Sequence, residues 1–158
     1  YFSYLIKTIQ NHHGIIVDFF GDALLVFFDP LDGPVEPVVK QALACAFEMQ
    51  DVMTAFNRES RAEGLPELRM GIGLNAGEVV VGNIGSETRA KYGIVGSAVN
   101  ATSRIQAEAG EGEVVISCAV YPWAKERVIV KRTFMTLLKG IQDEVRLYVV
   151  EPLKNKGE

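Results

Sequence analysis

The chain has 158 residues, enough for one domain that buries roughly two thirds of its unfolded surface, so neither a metal nor a disulfide is needed to hold it together. Sixteen basic against 20 acidic residues give a net charge of −4, which excludes a broad electrostatic footprint for nucleic acid or an anionic membrane, and any phosphate binding must be local. No apolar run approaches the ~18 to 20 residues that span a bilayer, no signal peptide is visible, and Cys45 and Cys118 lack ligand spacing; they read as reduced packing residues of a cytoplasmic protein.

In chain order, Tyr1 to His13 places Phe2, Leu5, Ile6 and Ile9 at helical spacing, and Gly14 suits a left-handed helix stop. His12 and His13 are adjacent, do not share a helix face, and read as a polar last turn rather than as ligands. The chain begins in mid-helix without a Met and is read as part of something longer. Gly14 to Asp29, GIIVDFFGDALLVFFD, is two apolar runs of strand length hinged on Gly21-Asp22, a β-hairpin buried on at least one face. Alone, Asp22 is a turn former. Asp18, however, interrupts the first run four residues earlier, and in a regular strand both carboxylates project from one face. Two acids on an apolar sheet repel and cost desolvation, which a cation or a donor-rich ligand would offset.

Asp29 to Pro37 carries three prolines and a glycine and reads as a surface loop. From Val38 to about Arg61, Val38, Ala42, Cys45, Met49, Val52 and Phe56 mark a long amphipathic helix, ended by Gly64 and Pro66. Leu68 to Leu74 and Val79 to Val81 read as a second strand pair turned at Asn75-Ala76-Gly77, followed by a long irregular connection with glycines at 82, 85, 93 and 96. No G-x-x-x-x-G-K-[ST] is present, and G-x-G at Gly71 and Gly73 sits inside a strand, so neither nucleotide-loop motif is satisfied. Ser97 reads as the N-cap of a helix to about Ala109 with Ala98, Ala101, Ile105 and Ala109 buried. Asn100 and Arg104 lie one turn apart on another edge of it, a pair suited to sugar and phosphate oxygens or simply a solvated flank. Glu113 to Ser117 is a strand, Cys118 to Lys125 a short helix, and Thr133 to Leu138 with Val145 to Val150 a closing strand pair around Lys139-Gly140.

Taken together, the helix ending in HHG, FFGDALLVFF, ACAFEMQ, MGIGLNAGEVVVGNIGS, KYGIVGSAVNATSRI and LKGI resemble, in order, the catalytic domain of the class III adenylate and guanylate cyclases. The resemblance covers nearly the whole chain and implies one domain of α+β class, a ferredoxin-like βαββαβ palm with added strands and helices. It implies cyclisation of a nucleoside triphosphate to a 3′,5′-cyclic monophosphate with release of pyrophosphate, in second-messenger signalling. It also implies a homodimer with composite active sites, two Mg²⁺ or Mn²⁺ per site in the complete domain, a regulatory domain upstream, and a cytoplasmic catalytic domain whose parent is free or membrane-tethered.

Carried over by position, Asp22 matches the second metal aspartate, with Gly21 beside it among the substrate-binding positions. Asn100 matches the ribose-orienting residue, Arg104 the one that stabilises the α-phosphate in the transition state, and Lys139 the lysine on the terminal phosphates. Asn100 and Arg104 would then face Asp22 of a second copy. The family's first metal aspartate has no counterpart here, so this chain alone is expected to lack half its metal site and to be inactive. The usual adenine-reading lysine is replaced by Asp18 and its aspartate or threonine partner by Gly93. Guanine offers N1–H and N2–H₂ donors to a carboxylate, so the expected substrate is GTP, with ATP the alternative. A catalytically silent dimerisation or nucleotide-sensing module is the other alternative, against which the joint presence of Asp22, Asn100, Arg104 and Lys139 argues. The GG[DE]EF signature of diguanylate cyclases is absent.

Overall fold

In the computed structural model, residues 2–84, 91–137 and 144–153 are described. The elements are α1 (Phe2–Asn11), β1 (Ile15–Phe20), β2 (Ala23–Phe27), α2 (Val35–Ala62), β3 (Ile72–Leu74), β4 (Val80–Ile84), β5 (Lys91–Val95), α3 (Ser97–Ala107), β6 (Val114–Ser117), α4 (Tyr121–Ala124), β7 (Val128–Thr136) and β8 (Val145–Pro152). Among the described residues no helix is long and apolar enough to cross a membrane.

The centre is a four-stranded mixed sheet in the order β3-β6-β8-β7, with β3 parallel to β6 and the other pairs antiparallel. Both faces of β6 are covered, which is why it reads VVIS with no polar alternation until its last residue. Val114 and Ile116 pack toward Val39, Leu43 and Ala46 of α2. Val115, with Leu147 and Val149 of β8, packs on Ile105 of α3. Leu147 and Ile105 are almost fully buried, each worth about 1.5 to 3 kcal/mol. A further cluster joins Leu5 and Ile9 of α1 to Cys45, Met49 and Met53 of α2, with Leu24 and Val26 of the hairpin against it. This α+β arrangement agrees with the fold expected from the sequence.

Several local expectations need correction. The strand pair turned at Asn75-Ala76-Gly77 does not form: β3 pairs with β6, while β4 pairs antiparallel with β5 in a separate ribbon. α3 packs over β3, so closely that a Cβ on Gly73 would stand 2.6 Å from the Gln106 backbone nitrogen. The helix after the proline-rich loop starts at Val35, taking Pro37 into its first turn, where no intrahelical N–H bond is lost. Its buried apolar residues are Val39, Leu43, Cys45, Ala46, Met49 and Met53, with Ser60 buried near its end, rather than a stripe from Val38 through Phe56, because α2 is wedged between two clusters and needs a broad apolar face. Helix α1 stops through His13, at φ 64°, and not through Gly14. His13 N–H bonds Gln10 C=O at 3.0 Å and Gly14 N–H bonds Ile9 C=O at 2.9 Å, a Schellman stop with His13 in the left-handed place. Gly14 is small for another reason: a Cβ there would lie 2.8 Å from Ile9 Cγ2 and 2.9 Å from Phe28 Cζ. His12 meets the Glu48 carboxylate of α2.

Candidate active site

Helix α3 begins without a side-chain cap. Gly96 holds the N-cap position at φ 150°, and Ser97, expected to cap, is already the first helical residue. Asn100 and Arg104 follow on this helix and both line a cleft of about 690 Å³, with Asn75, Glu78, Ser117 and Cys118 on its other walls. Arg104 is half-buried and Asn100 exposed, so a planar guanidinium and an amide sit one helical turn apart at the edge of a concave space. That combination suits phosphate and hydroxyl oxygens. Cys118, expected to be a packing residue, is exposed, because it follows the end of β6 and faces no covering element. Cys45 is buried, and desolvation, with Glu48 as a smaller influence, pushes its thiol up to about 12.

The carboxylates lie elsewhere. Asp22 is exposed in the turn of the β1–β2 hairpin, where Phe20 pairs with Ala23 and Gly21 takes φ 61°. Gly21 is required for conformation rather than space, since nothing lies within 4 Å of a Cβ there. Asp18 is half-buried on β1, and its Oδ1 accepts the Phe19 N–H at 2.8 Å. The pairing shifts between Ile16 and Asp18, so Val17 bulges, and regular alternation runs only from Asp18 to Phe20. Asp22 therefore owes its position to the turn and not to strand periodicity. β1 packs beside β5, which carries the buried Gly93 opposite Gly82. Neither Asp18 nor Asp22 lines the α3 cleft. Lys139 lies outside the described residues.

Among the described residues no group of three or more His, Cys, Asp or Glu side chains is placed to hold a metal ion. Asp22 could supply one ligand: Mg²⁺ is commonly held by one or two carboxylates together with substrate phosphates, and this carboxylate is exposed at the hairpin turn.

Asn75 and Ser117 also line the cleft: the sequence pattern places Asn75 in a turn, and the signal for a partnership is Ser117, a polar residue closing an otherwise apolar buried strand.

Comparison with known proteins agrees with this architecture. The family model described as "Adenylate and Guanylate cyclase catalytic domain" matches residues 1–152. Adenylate cyclase 1 of Rhizobium meliloti is 30% identical over 154 residues, 95% of this chain, which spans only 23% of that relative's length. The crystal structure of the guanylyl cyclase Cya2 is 38% identical and superposes with a TM-score of 0.89, covering 99% of this chain and 79% of that one. The adenylyl cyclase CyaB from P. aeruginosa is 28% identical at a TM-score of 0.87, covering 98% of this chain and 80% of that one. The chain belongs to the adenylate and guanylate cyclase catalytic domain family and has the fold of a nucleotide cyclase catalytic domain.

Proposed function

We propose that this chain is the catalytic domain of a guanylate cyclase that converts GTP to its 3′,5′-cyclic monophosphate and pyrophosphate for second-messenger signalling. The observation that carries the base preference is the placement of Asp18 and Gly93 on the neighbouring strands β1 and β5. An ionised carboxylate accepts from the N1–H and N2–H₂ of guanine, whereas adenine presents an N1 acceptor to it. Gly93, lacking a side chain, leaves space for the ring edge. The resemblance to a guanylyl cyclase at 38% identity supports this reading, and the adenylate cyclase relative at 30% keeps ATP as the second one.

In this reading Asn100 orients the ribose and the Arg104 guanidinium stabilises the charge that develops at the α-phosphate as the 3′ oxygen attacks in line. Lys139 would meet the terminal phosphates. Asp22 would hold Mg²⁺ or Mn²⁺ with substrate oxygens and a further carboxylate from outside these 158 residues, consistent with one acidic ligand on the hairpin. A metal held there would supply positive charge against the triphosphate and would lower the pKa of the attacking hydroxyl. Asp22 does not line the cleft that Asn100 and Arg104 line, and in the proposed homodimer the two halves come from different copies. The exposed Phe19, Phe20, Val80 and Val95, each at least 51% accessible on the hairpin and the β4–β5 ribbon, supply apolar surface for that second copy. Such a homodimer, cytoplasmic and controlled by an upstream regulatory domain, completes the proposal.

The test is kcat/KM for GTP and ATP in a chain extended upstream through the family's first strand. GTP is expected to be preferred, and Asp18→Lys with Gly93→Asp is expected to invert the order. Sites that bond a ligand's N–H groups reject analogues lacking them by up to ~10⁴, and the one-methylene deficit of Asp against Glu reduces this. Preference for ATP in the unaltered enzyme, unchanged in the double variant, removes Asp18 from base reading.

A further inference from the structure

The first turn of α3, which carries Asn100 and precedes Arg104, is held from outside the helix. Asn75 follows the last residue of β3 and reaches two elements at once. Its Nδ2 donates to the Ala98 carbonyl of α3 at 3.2 Å, and its Oδ1 accepts from the Ser117 hydroxyl at the end of β6 at 2.8 Å. The amide can sit only this way round, since the reversed orientation would set Oδ1 against the Ala98 carbonyl, acceptor to acceptor. Ser117 is only 5% exposed, and its hydroxyl takes Asn75 as its hydrogen-bond partner. The backbone after Asn75 closes on the same turn: a Cβ on Gly77 would fall 2.6 Å from Ala98 Cβ, and one on Gly96 would fall 3.1 Å from the Glu78 carbonyl. α3 has no side-chain cap of its own, and these contacts brace its first turn from outside without bonding its free N–H groups.

We infer that Asn75 and Ser117 are positioning residues that set the height and rotation of α3, and through it the placement of Asn100 and Arg104 in the cleft. Asn75 lines that cleft too, and one N–H and one lone pair of its amide are committed to protein groups, which fixes the plane and orientation of the side chain. The inference deepens the cyclase reading and rests on it for its catalytic consequence. Its structural half stands alone.

The experiment therefore has two arms on Asn75→Ala, Ser117→Ala, the double variant and Asn75→Asp. Asn75→Asp keeps the acceptor for Ser117 and loses the donor to Ala98. In the first arm, amide hydrogen exchange on this chain is expected to quicken at residues 101–104, whose helical bonds end on first-turn carbonyls, by about tenfold, roughly what one hydrogen bond carries, with Leu147–Val150 unchanged. In the second arm, on the extended enzyme, kcat is expected to fall by about tenfold or more while KM moves by less than about threefold, because misplacement affects the transition state more than ground-state binding. The double variant is expected to be no worse than Asn75→Ala alone, and Asn75→Asp to behave as Asn75→Ala does. Unchanged exchange at 101–104, or quickening spread equally through β8, overturns the inference, as do additive losses in kcat. An extended enzyme that turns over neither GTP nor ATP would sink the cyclase reading, and the exchange arm would still decide whether Asn75 holds α3.

Discussion

Glu113 shows how one carboxylate in this fold links three elements. Its Oε1 accepts the Gly110 N–H at 2.7 Å, and Arg132 Nη2 from β7 donates to the same carboxylate at 3.0 Å. The Gly110 bond foremost, and then Arg132, hold its carboxyl below the ordinary value of 4.5, with desolvation opposing. A depressed folded pKa means that this stabilisation is present in full above the unfolded value and is lost as pH falls through the folded one. Glu113→Gln is accordingly expected to lower the Tm at pH 7 and to match the unaltered chain at a pH below the depressed folded value, where the Glu113 carboxyl is protonated. The effect at pH 7 is roughly 1 kcal/mol or less, because the Arg132 side of the contact is open to solvent. Thermal melts at the two pH values check it, and an equal deficit at both means that packing, not charge, is what Gln lost. The Gly110 contact is local, three residues away, whereas the Arg132 contact was not visible along the chain, since Glu113 and Arg132 meet only when β6, β8 and β7 have assembled.

At the scale of the element, helix ends divide into those written locally and those imposed by neighbours. Gly64 ends α2 at φ 75°, and Leu65 N–H bonds the Ser60 carbonyl at 2.8 Å, a stop that the Gly and Pro after the apolar stripe foretold. At the end of α1 the roles of His13 and Gly14 are exchanged relative to expectation. A histidine in the left-handed region carries a strain of about 1 to 2 kcal/mol that glycine does not. His13→Gly is therefore expected to raise the unfolding free energy by roughly 1 kcal/mol, whereas Gly14→Ala, which drives a Cβ into Ile9 and Phe28, is expected to lower it by about 1 to 3 kcal/mol. Urea denaturation distinguishes them. If Gly14→Ala proves neutral, the α1–hairpin contact is looser than these distances require. The start of α3 is the opposite case to Gly64: its cap was read as Ser97, yet the helix is anchored by Asn75, Gly77 and Glu78 from a loop more than 18 residues upstream.

For the whole molecule the central issue is that the proposed chemistry is divided between two surfaces of one chain. Asn100 and Arg104 share the α3 cleft, and Asp22 stands on the hairpin turn outside it. In the proposed homodimer, extended enzymes carrying Arg104→Ala or Asp22→Ala are each expected to be nearly inactive, with losses of ~10² to 10³ for one transition-state donor. Mixed, they are expected to recover part of the activity, because one of the two sites in each heterodimer then keeps all its groups. Recovery is read as turnover after mixing, with heterodimer content measured separately. Heterodimers that stay inactive would mean that Asp22 and Arg104 do not serve a shared site.

The sequence by itself determined the class of the fold, the family motifs and their order, and which residue types are available for chemistry. Those are properties of short stretches: FFGD makes a turn because Gly21 tolerates φ 61°, and α3 forms because its apolar positions recur at helical spacing. Only the tertiary structure decided which strands are neighbours. Local alternation suggested a hairpin through Asn75-Ala76-Gly77, but beside β6 the short strand packs against α2 and α3 at once, contacts that pairing with β4, exposed at Val80 and Val81, would not supply. That choice brings Asn75, Ser117 and Ala98 within hydrogen-bonding reach across 42 positions of sequence, a relation that no periodicity records because it exists only after the sheet and α3 have packed.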